Sequence, residues 1–93
     1  MKNMENRKNI SGNFIKDSRI KIGISQETLA GKLNLFGLRI DQSAISRIEN
    51  GTRELYDYEL YCICKILKVD INLFFDKDLI AKIPKKHNPF IKK

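Results

Sequence analysis

The chain has 93 residues, a formal net charge of +7, 42% apolar and 31% charged side chains, which suits one small globular domain with a single core. No apolar run approaches the ~18 residues of a membrane span. The polar start MKNMENRKNISGN lacks the apolar stretch of a secretory signal, so the cytoplasm is the expected compartment.

Residues 1–9 are polar, and residues 1–10 are expected to form a flexible basic N-terminal tail. A first helix is expected over residues 11–22. Ser11 is its N-cap, Phe14, Ile15, Ser18 and Ile22 form one face, and Gly23 stops it. SQETLAGKL opens a second helix with Ser25 as N-cap and an apolar stripe of Leu29, Ala30 and Leu33. DQSAISRIENG gives a third, capped by Asp41, with Ala44, Ile45 and Ile48 inward and Asn50-Gly51 at the exit. DYELYCICKILKV gives a fourth, with Asp57 as cap and Leu60, Ile63, Cys64 and Leu67 at helical spacing. DINLFF reads as a short fifth helix capped by Asp70, with Leu73 and Phe74 toward the core, and DKDLIAKI extends it or adds a turn. Pro84 and Pro89 then mark an extended tail. Helices joined by short loops, with no strand pattern, predict an all-α domain over residues 11–81 and a basic tail over 82–93.

Charge is distributed unevenly. Residues 1–16 sum to +3 and residues 82–93 to +5, whereas residues 17–81 sum to −1. Basic ends of this kind either keep a small protein soluble or meet an anionic partner.

The outer side of the third helix decides between these. Gln42, Ser43, Ser46 and Arg47 are short or planar groups able to hydrogen-bond. A helix entering the DNA major groove needs such a surface, since Gln matches an adenine edge, Arg a guanine edge, and Ser either donates or accepts. Gln26 stands at the start of the second helix, where free N–H groups attract phosphate. Asn50, Thr52 and Arg53 follow the third helix in NGTR and are further candidates for the DNA backbone.

These stretches, SQETLAGKL, QSAISRIENG and LKVDINLFF, resemble the helix-turn-helix domain of phage repressors and Cro proteins, the XRE class. The resemblance covers roughly residues 12–75. It implies a five-helix, lambda-repressor-like fold in which the helix matching residues 41–50 reads the major groove. It assigns Gln42, Ser43, Ser46 and Arg47 to base edges, and Gln26, Asn50, Thr52 and Arg53 to phosphates. It also implies that Arg19 pairs with Glu49 in a partly buried salt bridge that ties the reading helix to the first helix.

One segment departs from the family pattern. NLFGLRID makes the connection into the third helix several residues longer than the usual three or four. The second helix is expected to run to about Phe36, with Gly37 in a left-handed cap and Leu38 and Ile40 folded back. Arg39 then points to solvent or to DNA, as one more phosphate candidate. Leu35, Phe36, Leu38 and Ile40 are either additional core or a dimer contact.

The resemblance implies a double-stranded DNA partner and a homodimer that binds a palindromic site, with repression as the expected role. An alternative is an antitoxin-type or accessory regulator, with a protein bound through IAKIPKKHNPFIKK. Catalysis and cofactors are not expected, because the sequence offers no nucleophile–base pairing and no glycine-rich phosphate loop. Metal binding is not expected either: Cys62 and Cys64 form a lone CxC and His87 is the single histidine. Cys64 is expected to be buried and Cys62 more exposed. A membrane-surface role is disfavoured, since no helix pairs a basic face with a continuous apolar one.

Overall fold

Capping and apolar spacing determine where each helix starts and which face it buries. The computed structural model describes residues 6–75, together with Ile83 and Lys86. Among these residues there are four α-helices, α1 (Gly12–Lys21), α2 (Gln26–Leu35), α3 (Gln42–Glu49) and α4 (Asp57–Leu67), followed by a 3-10 turn at Ile71–Leu73. The class is all-α, and the described residues contain no strand. The DKDLIAKI extension and the lysine-rich tail, apart from Ile83 and Lys86, lie outside the described residues.

The core consists of Ile15 from α1, Leu29, Ala30 and Leu33 from α2, Ala44, Ile45 and Ile48 from α3, and Ile63 and Leu67 from α4, with Ile40 added by the connection. α2, α3 and α4 thus each supply residues at i, i+3 or i+4 spacing, the geometry that puts them on one face, and α1 adds Ile15. α2 packs on α3 and α4, and α1 packs on the same two helices. Fully burying one such aliphatic side chain contributes about 1.5–3 kcal/mol, so this shared centre is what holds α3 in place.

The expected caps hold at two helices and shift at two. The Ser25 hydroxyl accepts from the Thr28 N–H, and the Asp41 carboxylate accepts from the Ala44 N–H. At α1, Ser11 occupies the cap position but its side chain makes no cap bond. Asn9 replaces it, with Oδ1 accepting from the N–H groups of Ser11 and Gly12 at 3.0 and 2.8 Å. At α4, Tyr56 rather than Asp57 is the N-cap residue, and the Glu59 carboxylate accepts its N–H at 3.0 Å. Glu59 reaches back from the third helical position, the geometry that satisfies an otherwise orphaned amide.

The fifth helix is a correction. Its bonds run from Leu73 N–H to Asp70 and from Phe74 N–H to Ile71, three residues apart, and Asp70 Oδ1 caps through Asn72. The tighter winding rotates the segment so that Phe74 packs against Phe14, with centroids 4.6 Å apart and the rings tilted by 30°, while Leu73 faces outward. Ile22 is likewise exposed, because α1 ends at Lys21 and the chain turns away at Gly23. Cys64 is buried and Cys62 half-buried, and both are free thiols. Burial, with a smaller contribution from Asp70, pushes the Cys64 thiol up.

The long connection has a defined internal structure. Leu38 N–H returns to Leu33 C=O and Gly37 N–H to Asn34 C=O, the paired bonds of a Schellman exit, with Gly37 at φ 88°. Asn34 then folds over the turn and its Nδ2 donates to the carbonyls of Ala30, Leu38 and Ile40. Ile40 is buried and Leu38 half-buried, so these two do fold back onto the core. Leu35 and Phe36 do not add to it. They are 88% and 59% exposed, because the extra turn of α2 carries them past the last layer of core side chains.

Candidate nucleic-acid interface

α3 presents two opposite faces. Ala44, Ile45, Ile48 and Glu49 are buried, whereas Gln42, Ser43 and Arg47 are exposed and Ser46 is half-buried. The four residues expected to read bases therefore share one outer edge of a helix whose other face is fixed in the core. The Arg47 guanidinium donates to Ser43 Oγ at 2.8 Å, one turn earlier, which holds a long side chain along the edge.

Glu49 links this edge to the rest of the domain. Arg19 Nε donates to Glu49 Oε2 at 2.7 Å and Arg19 Nη2 to Oε1 at 3.0 Å, while Nη1 donates to the Ile24 carbonyl at 2.9 Å. The two side chains are 10% and 3% exposed. The hydrogen bonds to Glu49 hold the Arg19 pKa above its ordinary value, against the opposing effect of burial. Gln26 Nε2 also donates to Glu49 Oε1, at 2.9 Å. Gln42 Nε2 donates in turn to Gln26 Oε1, at 2.6 Å. A continuous polar chain thus runs from α1 through the end of α3 and the start of α2 to the start of α3. No buried side-chain nitrogen or oxygen among the described residues lacks a partner, which is what makes such a network rigid rather than costly.

The exit of α3 is equally ordered. Gly51 adopts φ 84° and carries the same Schellman pair, Gly51 N–H to Ile48 and Thr52 N–H to Arg47. Thr52 N–H and Oγ1–H both donate to Asn50 Oδ1, at 3.1 and 2.6 Å. Arg53, expected on a phosphate, makes its side-chain contacts within the domain. Its guanidinium makes a two-point contact with Glu59 at 3.0 and 3.1 Å and donates to the Glu54 carbonyl. These contacts hold the Arg53 pKa above its ordinary value. Arg39 is exposed at the end of the long connection, beside the cap of α3.

A family model described as Helix-turn-helix matches residues 15–74, more than half of the chain. The chain belongs to this family. It is an XRE-class helix-turn-helix DNA-binding domain, and the family is one of DNA-binding regulators rather than of enzymes. Neither the curated proteins nor the solved structures give a match. No helix among the described residues is long and apolar enough to cross a membrane.

In this helix-turn-helix domain three residues of structural weight escape the sequence reading. Arg7 and Asn9 fall in the expected flexible tail, yet Arg7, Lys8 and Asn9 are hydrogen-bonded to the exit of α3. Glu59 is nearly buried and serves both Arg53 and the start of α4. For Glu59 a signal exists, an acid three residues after a helix start. For Asn9 the signal is weaker, an asparagine just before an expected helix.

Proposed function

We propose that the chain is a transcriptional repressor that binds an inverted-repeat operator as a homodimer, with Gln42, Ser43, Ser46 and Arg47 reading base edges in the major groove. The observation that carries this reading is the polar chain Arg19–Glu49–Gln26–Gln42. It fixes the first residue of the exposed edge to a buried ion pair, so the edge meets DNA preorganised. Gln26, Asn50, Thr52 and Arg39 lie outside the core and serve the phosphates. Arg53 supports the loop through Glu59 instead. One eight-residue reading helix reaches few base pairs. Two copies about one DNA turn apart supply the remaining specificity.

Selection of bound sequences from random duplex DNA tests this. An enriched inverted repeat with half-sites about one helical turn apart is the expected result. Enrichment of nothing, even at low salt where phosphate contacts are strongest, overturns it.

A further inference from the structure

The segment ahead of α1 makes its contacts at the far end of the reading helix. Asn9 uses both ends of its amide. Oδ1 accepts from the first amides of α1, and Nδ2 donates to the carbonyls of Ile48 and Arg53 at 3.0 and 2.8 Å. Arg7 lies beside it. Its guanidinium donates to the carbonyls of Glu49 and Asn50, and Nε donates to the Asn9 carbonyl. Lys8 N–H donates to Gly51 C=O at 2.8 Å. The last carbonyls of a helix have no partner within the helix and carry its partial negative charge, so a cation and an amide donor are suited to this place.

The space for these groups is written into two glycines. A Cβ on Gly12 would stand 2.7 Å from the Glu49 carbonyl oxygen and 2.5 Å from Arg7 Nη2. A Cβ on Gly51 would stand 2.5 Å from the centre of the same guanidinium. Gly12 also lets α1 approach the carbonyls of Ile48 and Glu49, and Gly51 also serves its φ of 84°, and the guanidinium fills the room that both leave. That argues against a loosely held arm and for a built contact.

We infer that Arg7 and Asn9 form a clamp that sets the position of the α3 exit and of the Asn50–Thr52 loop, and that the N-terminal segment thereby controls how the reading helix is presented. Both are positioning residues, acting on DNA through α3. The consequence for DNA rests on the function proposed above, whereas the clamp itself does not.

The test uses the full chain and three variants. Asn9→Asp keeps the acceptor that caps α1 but removes the donor to Ile48 and Arg53, so it separates capping from clamping. Arg7→Ala removes the fork. Arg7→Lys keeps the charge on a flexible point donor that cannot span the two carbonyls. Hydrogen exchange of the residue 50–53 amides is expected to accelerate roughly tenfold in all three, as a locally opened unit does, with Leu33 and Ile63 changing less than about twofold. Binding to the enriched duplex is expected to weaken in Arg7→Ala with the same salt slope as the parent. Unchanged exchange at residues 50–53 in Asn9→Asp and Arg7→Ala overturns the clamp. Full recovery in Arg7→Lys overturns its fork geometry. A salt slope lower by about one in Arg7→Ala, with exchange unaltered, makes Arg7 a phosphate contact instead. If the parent binds no duplex, the proposed function fails, and the exchange measurements still decide the clamp.

Discussion

Two arginine–carboxylate pairs flank α3, and they differ in reach. Arg19 and Glu49 are 30 residues apart in sequence and join α1 to the end of α3. Arg53 and Glu59 are six apart and close the loop after α3 onto the start of α4. Both make two-point contacts, but the side chains of the first pair are 10% and 3% exposed and those of the second 25% and 6%. The first pair continues into Gln26 and Gln42, whereas the second ends on Glu54 and Tyr56. The more buried pair therefore governs how two helices dock, and the more exposed one governs a local turn. Ion pairs of the same chemistry do different things according to what else the carboxylate holds.

The largest effect is expected where that contrast is greatest. Arg19→Ala leaves the Glu49 carboxylate buried with only Gln26 as donor. Breaking a buried pair in this way costs about 3–5 kcal/mol, against under ~1 kcal/mol for an exposed one. Urea unfolding of Arg19→Ala measures it. A loss below ~1 kcal/mol would make the first pair behave as an exposed one and remove the contrast.

A smaller loss is expected at the local pair. Glu59→Ala strips the Arg53 guanidinium of its partner and the Tyr56 N–H of its acceptor, at about 1.5–3 kcal/mol for hydrogen bonds to a charged group. Arg53→Ala leaves the Glu59 carboxylate, 6% exposed, with the Tyr56 N–H as its remaining donor, so its cost is expected in the same range. Its effect on DNA is the sharper measurement. With the guanidinium committed to Glu59, the salt slope of binding is expected to match the parent. A slope lower by about one would return Arg53 to the phosphates.

The apolar half of the fold was legible because periodicity needs no tertiary knowledge. Leu29 and Leu33, Ala44 and Ile48, Ile63 and Leu67 all announce their buried faces by spacing, and all are in the core. The left-handed turn at Gly37 was legible too, since few residues other than glycine take φ near 88°. What escaped was long-range polar structure. Nothing local tells that Asn9 will find the carbonyls of Ile48 and Arg53, 39 and 44 residues away. The Leu35–Phe36 pair misled for the opposite reason. Apolar type suggests burial, but one more turn of α2 places them beyond the packed layer, which no pattern within eight residues reveals. At the site, the outward edge of α3 followed from its composition, while the link from Gln42 through Gln26 to Glu49 required the helices to be docked.

Gln42 gives the smallest effect on stability and the most selective one on DNA. It is exposed, so removing its side chain should change stability by no more than about 0.5 kcal/mol, whereas Gln26→Ala also takes a donor from the buried Glu49 carboxylate and should cost about 1.5–3 kcal/mol. Gln42→Ala is expected to lose about 1–3 kcal/mol of discrimination at one base-pair position in each half-site. Gln26→Ala leaves Gln42 without its 2.6 Å partner and should reproduce part of that loss at the same position. The double variant separates the routes. If Gln26 acts by holding Gln42, adding Gln26→Ala to Gln42→Ala changes discrimination no further, and the coupling energy is close to the whole Gln26 effect. If the two losses add, Gln26 works on the DNA independently. The buried pair would then anchor α3 without reaching the bases, and both arginine–carboxylate pairs would be purely structural.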